Sequence, residues 1–159
     1  MKLMIMLTIN GTQRSIETEL GETLLEVLRR EGMKSVKLGC DTGDCGACAV
    51  LLDGSAVNAC MVLAVAADGK DVDTVEGLER DGHLHPMQQA MVDAGAVQCG
   101  FCTPGMLMSG IDLLSRNPDP TEDEVKEALG GNLCRCTGYV KQVDAILATA
   151  RLRAGETDA

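Results

Sequence analysis

The chain has 159 residues, 45% apolar and 24% charged, with a formal net charge of −10 from 14 basic and 24 acidic side chains. That length suits one ordinary domain or two small ones, and the balance is that of a folded globular protein rather than a disordered chain. The absence of any basic run argues against a nucleic-acid role, which needs clustered Lys and Arg, and no apolar stretch reaches the length of a bilayer span.

The start, Met1 to Leu7, carries a positive residue but meets Thr8, Asn10 and Gly11 with no signal-length apolar region or cleavage site. It therefore reads as a first strand over 3–9, in a cytoplasmic protein. Asn10-Gly11 is a two-residue hairpin signal leading to a second strand near 13–19. Thr23 with Glu26 forms a capping-box pattern for a helix carrying Leu24, Leu25, Val27 and Leu28 and closing near Gly32. Residues 47–52 and 55–59 read as a hairpin across Asp53-Gly54, and a last strand falls near 71–75. Strand, strand, helix, hairpin and strand predict a β-grasp arrangement.

The character changes near residue 78. Pro86 suits the first turn of a helix reaching Gly95. Thr103-Pro104 offers a cap and first position for a helix with Met106, Leu107, Gly110, Leu113 and Leu114 on one face, stopped by Asn117-Pro118 and Pro120. Thr121 with Glu124 is a second capping box, for a helix ending at Gly130-Gly131. Thr137 is expected to cap a last helix with Val140, Val143, Ile146, Leu147 and Ala150 buried, before a frayed tail over 152–159. The expected class is α+β: a β-grasp half over 1–78 and an all-α four-helix half over 79–159.

Eight cysteines in a reducing compartment point to metal rather than disulfides. Cys40, Cys45 and Cys48, followed by Cys60, have the C-x4-C-x2-C…C spacing of a plant-type [2Fe–2S] ferredoxin. An anionic cluster of this kind needs backbone N–H groups aimed at sulfur and a loop free of obstructing Cβ atoms, and Gly39, Gly43 and Gly46 stand there. Structural zinc usually pairs two C-x2–4-C knuckles, which three cysteines in one nine-residue loop do not. The second set, Cys99-x2-Cys102 and Cys134-x-Cys136, is by itself compatible with zinc or a cluster. Both of its pairs are expected just ahead of helix starts, where free N–H groups favour an anionic cluster. The two sets use every cysteine, which favours two complete four-ligand sites.

Gly39-Cys40-Asp41-Thr42-Gly43-Asp44-Cys45-Gly46-Ala47-Cys48, Gln98-Cys99-Gly100-Phe101-Cys102-Thr103-Pro104-Gly105 and Gly131-Asn132-Leu133-Cys134-Arg135-Cys136-Thr137-Gly138-Tyr139 resemble the small iron–sulfur subunit of the molybdenum hydroxylases. This is the xanthine dehydrogenase, aldehyde oxidoreductase and carbon monoxide dehydrogenase family, and the resemblance spans about residues 3–150. It implies a plant-type ferredoxin domain followed by a four-helix domain, with one [2Fe–2S] cluster in each. It also implies that the cluster on Cys99, Cys102, Cys134 and Cys136 lies next to molybdopterin, with Gln98 and Cys136 approaching the pterin. The cluster on Cys40, Cys45, Cys48 and Cys60 then lies toward FAD. One departure is Ala49, where the family often has Thr or Val.

Neither a flavin nor a molybdenum domain follows within this chain, so a molybdopterin-binding large subunit and an FAD-binding medium subunit are the expected partners. The assembly expected is a heterotrimer or a dimer of heterotrimers. The expected role is single-electron transfer from the molybdenum centre to flavin, with substrate chosen by the partner and a leaning toward purines or other N-heterocycles. No general base, nucleophile or substrate pocket is legible in the chain. The alternative is a stand-alone [2Fe–2S] carrier docking transiently to an oxidoreductase.

Other residues carry blander readings. Arg135 is either a charge offset for the cluster or a plain surface residue. Phe101 and Tyr139 are expected in core packing and cluster shielding, and His83 and His85 as linker residues. Met87, Met91, Met106 and Met108 invite an interface reading, with core filling favoured for Met91 and Met106. Asp119, Glu122, Asp123 and Glu124 read as a solvated helix start.

Overall fold

A computed structural model describes residues 2–155. Strand β1 (Lys2–Ile9) pairs antiparallel with β2 (Thr12–Glu19), with Ile5 opposite Ile16. The turn between them places Asn10 and Gly11 at φ of 50° and 77°. Positive φ at both central residues gives a twist matching that of the strands, which is why Asn-Gly serves there. Period-2 alternation then turns Ile5, Leu7, Ile9 and Ile16 to one side, where all are buried.

Helix α1 (Leu24–Arg30) covers that side with Leu24, Leu25, Val27 and Leu28. Its start is fixed as the sequence predicts: Thr23 accepts from the Glu26 N–H, and the Glu26 carboxylate accepts from the Thr23 N–H. Strands β3 (Ala49–Leu52) and β4 (Ser55–Asn58) form the second hairpin, with Asp53 and Gly54 again at positive φ. The short β5 (Asp71–Asp73) enters between the hairpins, parallel to β1 and antiparallel to β3, giving a mixed sheet of order β2-β1-β5-β3-β4.

The remaining four helices are α2 (Pro86–Asp93), α3 (Thr103–Arg116), α4 (Glu122–Ala128) and α5 (Val140–Ala154). They share a core containing Met87, Met91, Met106, Leu113, Val125, Val143 and Ile146. Burying such a side chain contributes about 1.5–3 kcal/mol relative to exposure. The two halves meet where β3 turns Val50 to α1 and Ala49 and Leu51 to the other face, against Met108 and Ile111 of α3. The α+β class and the ferredoxin-like first half thus stand as expected.

Several local expectations fail for physical reasons. Cys102, not Thr103, is the N-cap of α3, so Thr103 and Pro104 occupy its first turn. Thr137 does not cap α5. That helix begins after Tyr139, held left-handed at φ 70°, and leaves Val140 67% exposed instead of buried. His85 is no linker residue: its Nδ1 accepts from the Met87 N–H and caps α2, with Gln88 completing the box. Met87, Met91, Met106 and Met108 are all buried, which removes the interface reading. Phe101 is 45% exposed and is not core. The tail expected over 152–159 is helical through Ala154, and residues 156–159 lie outside the described residues. Asp119, Glu122, Asp123 and Glu124 are exposed as expected.

Candidate iron–sulfur centres

The loop before β3 is shaped by residues that tolerate positive φ. Asp41, Gly43 and Gly46 sit at 61°, 84° and 68°. This winding turns the N–H groups of Thr42 and Cys45 toward the Cys40 Sγ, at 3.5 and 3.4 Å. Donation from Thr42 first, and then from Cys45, lowers the Cys40 thiol to about 6. A Cβ on Gly39 would stand 2.7 Å from the Cys45 Sγ, so glycine leaves the loop interior open. The Asn58 side chain donates to the Gly43 carbonyl at 2.7 Å and ties the loop to β4.

Cys48, just ahead of β3, and Cys60, in a short helical turn over Ala59–Met61, are both buried. Burial, with the neighbouring Cys60 thiol adding to it, pushes the Cys48 thiol up to about 11. Burial also raises Cys45, which touches Cys40. The first set therefore falls into two thiol pairs, Cys40 with Cys45 and Cys48 with Cys60.

The second set sits where the loop after α2 meets the loop before α5. Cys99 and Cys136 are exposed with their sulfurs 3.6 Å apart, while Cys102 is buried and Cys134 half-buried. Burial pushes the Cys102 thiol up to about 12, with Cys134 beside it. Cys134 experiences the opposite balance. Burial raises it, but the Thr137 hydroxyl at 3.1 Å and the Cys136 N–H at 3.4 Å donate to its sulfur and bring it down to about 7. Here too the thiols pair, Cys99 with Cys136 and Cys102 with Cys134.

Thr137 thus serves the sulfur rather than the helix, and Tyr139 anchors the same turn by accepting the Cys134 N–H at 2.7 Å. Gln98 and Arg135, beside these thiols, are exposed.

The loops that carry the two sets lie against each other. The Leu133 N–H donates to the Cys45 carbonyl at 2.9 Å, so one hydrogen bond links the residue before Cys134 to a cysteine of the first set. Asn132, 3% exposed, donates its side-chain amide to the Gly46 carbonyl at 3.2 Å. The approach is close enough that a Cβ on Gly105 would collide with the Gly46 carbonyl, and one on Gly46 with the Gly131 carbonyl. Asn132 and Gly105 stood inside the sequence motifs without an assigned role. Nothing in their local spacing signals contact with Gly46, which for Asn132 lies 86 positions away.

Among the described residues, no three His, Cys, Asp or Glu side chains gather tightly enough for a single metal ion. The donor chemistry fits a two-iron cluster instead. Each set offers four sulfurs with no His or carboxylate among them, arranged as two pairs with N–H or O–H donors on sulfur.

Comparison with known proteins agrees across the chain. Residues 7–78 match the family described as 2Fe-2S iron-sulfur cluster binding domain, and residues 74–147 the family described as [2Fe-2S] binding domain. The chain is 50% identical over 141 residues to the nicotinate dehydrogenase small FeS subunit of Eubacterium barkeri, covering 88% of this chain and 90% of that one. It is 47% identical over 142 residues to the xanthine dehydrogenase iron-sulfur-binding subunit of Escherichia coli O157:H7, with 88% and 89% covered. Quinoline 2-oxidoreductase from Pseudomonas putida 86 contains a chain that superposes with a TM-score of 0.92 at 43% identity, over 98% of this chain and 99% of that one. Their shared pattern is a small [2Fe–2S] component of a multi-subunit oxidoreductase, and this chain belongs to the electron-transferring iron–sulfur subunits of the molybdenum hydroxylase family.

Proposed function

We propose that Cys40, Cys45, Cys48 and Cys60 hold one [2Fe–2S] cluster and that Cys99, Cys102, Cys134 and Cys136 hold the other. In each set the thiols lie as two neighbouring pairs, Cys40 with Cys45, Cys48 with Cys60, Cys99 with Cys136, and Cys102 with Cys134, which supports four-sulfur ligation of a two-iron cluster. Such clusters, when bound, take up and release one electron each. This chain's residues exclude water on the Cys48, Cys60 and Cys102 side and donate hydrogen bonds to the Cys40 and Cys134 sulfurs, which stabilises negative charge there.

The partner chains in this reading are a molybdopterin-binding large subunit and an FAD-binding medium subunit, assembled as a heterotrimer or a dimer of heterotrimers. Gln98 and Cys136 are exposed on the second loop pair and present polar groups to the pterin side, while the first set faces the flavin. The observation that supports this arrangement is the Leu133-to-Cys45 hydrogen bond, which joins the loops that carry the two thiol sets. We take the boundary between a ferredoxin-type domain and a four-helix domain at residues 78 and 79, and the protein as cytoplasmic. No helix among the described residues is long and apolar enough to cross a membrane.

The substrate class we assign to the complex is an N-heterocycle. The relatives above are named for nicotinate, xanthine and quinoline, all nitrogen-containing aromatic rings. The test is to purify the complex through a tag on this chain and compare kcat/KM for these three compounds with that for a simple aldehyde. Molybdenum and flavin in the complex, with an N-heterocycle preferred, is the expected result. Iron without molybdenum or larger chains would instead identify a free carrier, and an aldehyde preference would overturn the substrate class.

A further inference from the structure

The second thiol set is assembled from two segments far apart in sequence, and one buried side chain links them. Gln142, on the first turn of α5, is 1% exposed. Its side-chain amide donates to the Ala96 carbonyl at 2.6 Å, 46 residues away. Ala96 is itself buried, and its N–H bonds the Met91 carbonyl at the end of α2. The next three residues are Val97, Gln98 and Cys99, all exposed. The chain between the end of α2 and the Cys99 thiol is therefore fixed to α5 at Ala96. Beyond that point, among the described residues, none of the three makes a backbone–backbone hydrogen bond to the helices.

The same helix begins directly after the Cys134–Tyr139 turn, where the Tyr139 hydroxyl accepts the Cys134 N–H. Gln142 thus braces the Cys99 side of the thiol set against the helix that carries the Cys134 and Cys136 side. Among the described residues its Oε1 has no hydrogen-bond partner. A buried amide with an orphaned acceptor is a poor device for stability, because the unmet oxygen offsets much of what the single bond contributes. An apolar side chain of the same length would remove the orphaned oxygen but leave the Ala96 carbonyl without its donor. The remaining benefit is geometric, the hold on Ala96.

We infer that Gln142 is a positioning residue for the second cluster, fixing the Gln98–Cys99 segment relative to Cys136. This rests on the assignment of Cys99 and Cys136 as ligands proposed above. The test uses the whole complex carrying Gln142→Met, which keeps length and burial but removes both the donor and the orphaned acceptor. Thr149→Val serves as the control. Thr149 is equally buried in α5, but its hydroxyl bonds the Ala145 carbonyl and the Met87 Sδ of α2, outside both cysteine loops.

Iron content, reduction midpoints and the electron paramagnetic resonance of the two reduced clusters are measured in each complex. The expected result is that Q142M assembles and retains its iron, with a modest fall in melting temperature because the buried Ala96 carbonyl loses its donor. The midpoint and line shape of one cluster should shift while the other stays as in the unsubstituted complex, with T149V shifting neither. Unchanged signals in Q142M, or equal shifts of both clusters in Q142M and T149V, would overturn the inference. So would a Q142M complex that fails to assemble, since Gln142 would then be a residue of the fold. The unsubstituted complex separately tests the ligand assignment: if it shows only one cluster, that assignment fails whatever Gln142 does.

Discussion

At the scale of single residues, the least expected constraint falls on Gly105. A glycine three residues into a helix ordinarily invites alanine, which gains about 0.5–1 kcal/mol by restricting the unfolded chain. Here the added Cβ would collide with the Gly46 carbonyl, which is backbone and cannot swing away. G105A should therefore destabilise the protein, by about 1–3 kcal/mol as in an overpacked core, measured as a fall in the midpoint of thermal or urea unfolding. G21A, where nothing lies within 4 Å of the built Cβ, is the comparison and should be nearly neutral. The glycines of the first loop were legible beforehand because they stand between cysteines. Gly105 was not, because its reason lies in the other half of the molecule.

Thr137 teaches the same lesson in reverse. Its type and position fit an N-cap, but its hydroxyl donates to the Cys134 sulfur, and a side chain has one position at a time. T137V keeps the shape and removes that donor. It should lower the midpoint potential of the second cluster relative to the first, because a hydrogen bond to a cluster sulfur favours the more negative, reduced state. Redox titration of the complex reads this directly, and an unchanged midpoint would refute it.

At the scale of elements, caps decide where helices start, and two of them were written plainly in the sequence. The boxes at Thr23 with Glu26 and Thr121 with Glu124 form as predicted, because Thr-x-x-Glu satisfies two orphan N–H groups within one local turn. The cap of α2 was missed because histidine rarely serves that role. Only the neutral ring can do so, since a protonated Nδ1 would turn a second donor toward the Met87 N–H.

Burial first, and then the Arg153 and Arg80 charges, hold the His85 pKa below its ordinary value. The sign follows: the unfolded chain binds the proton more readily, so this contribution is present above the ordinary histidine pKa, about 6.5, and lost as pH falls below it. Unfolding midpoints should drop between about pH 7 and pH 5. H85S, which keeps a capping oxygen without the titration, should flatten that part of the profile. An equal drop in H85S would place the acid sensitivity elsewhere.

The strands and their turns were the most legible elements. Asn10-Gly11 and Asp53-Gly54 dictate hairpins through backbone conformation alone. The α5 boundary was the least legible, because Tyr139 adopts a left-handed conformation that its type does not favour and that the Cys134 contact holds in place.

At the scale of the molecule, the two halves are joined by an apolar contact and by a polar one, among others. Ala49 and Leu51 against Met108 supply the first. Asn132 and Leu133, bonding the Gly46 and Cys45 carbonyls, supply the second. Asn132→Ala leaves the Gly46 carbonyl without this donor in a buried position and should cost about 1–3 kcal/mol. It should also slow electron exchange between the clusters, because it loosens the peptide contact on which their spacing depends. Freeze-quenched reduction, following each cluster separately, measures that. The cysteine spacing made the two sets visible in the sequence, yet their contact became visible only in three dimensions.

The central claim, two complete [2Fe–2S] sites on one small chain, is tested most directly by iron and labile sulfide counts on the native complex, paired with C40S and C136S. Eight cysteines at four per cluster predict four irons and four sulfides per chain. Two distinct reduced-state resonance signals should appear, with C40S losing one and C136S the other. Zinc in place of iron, a single signal, or both signals lost together in either variant would contradict the account.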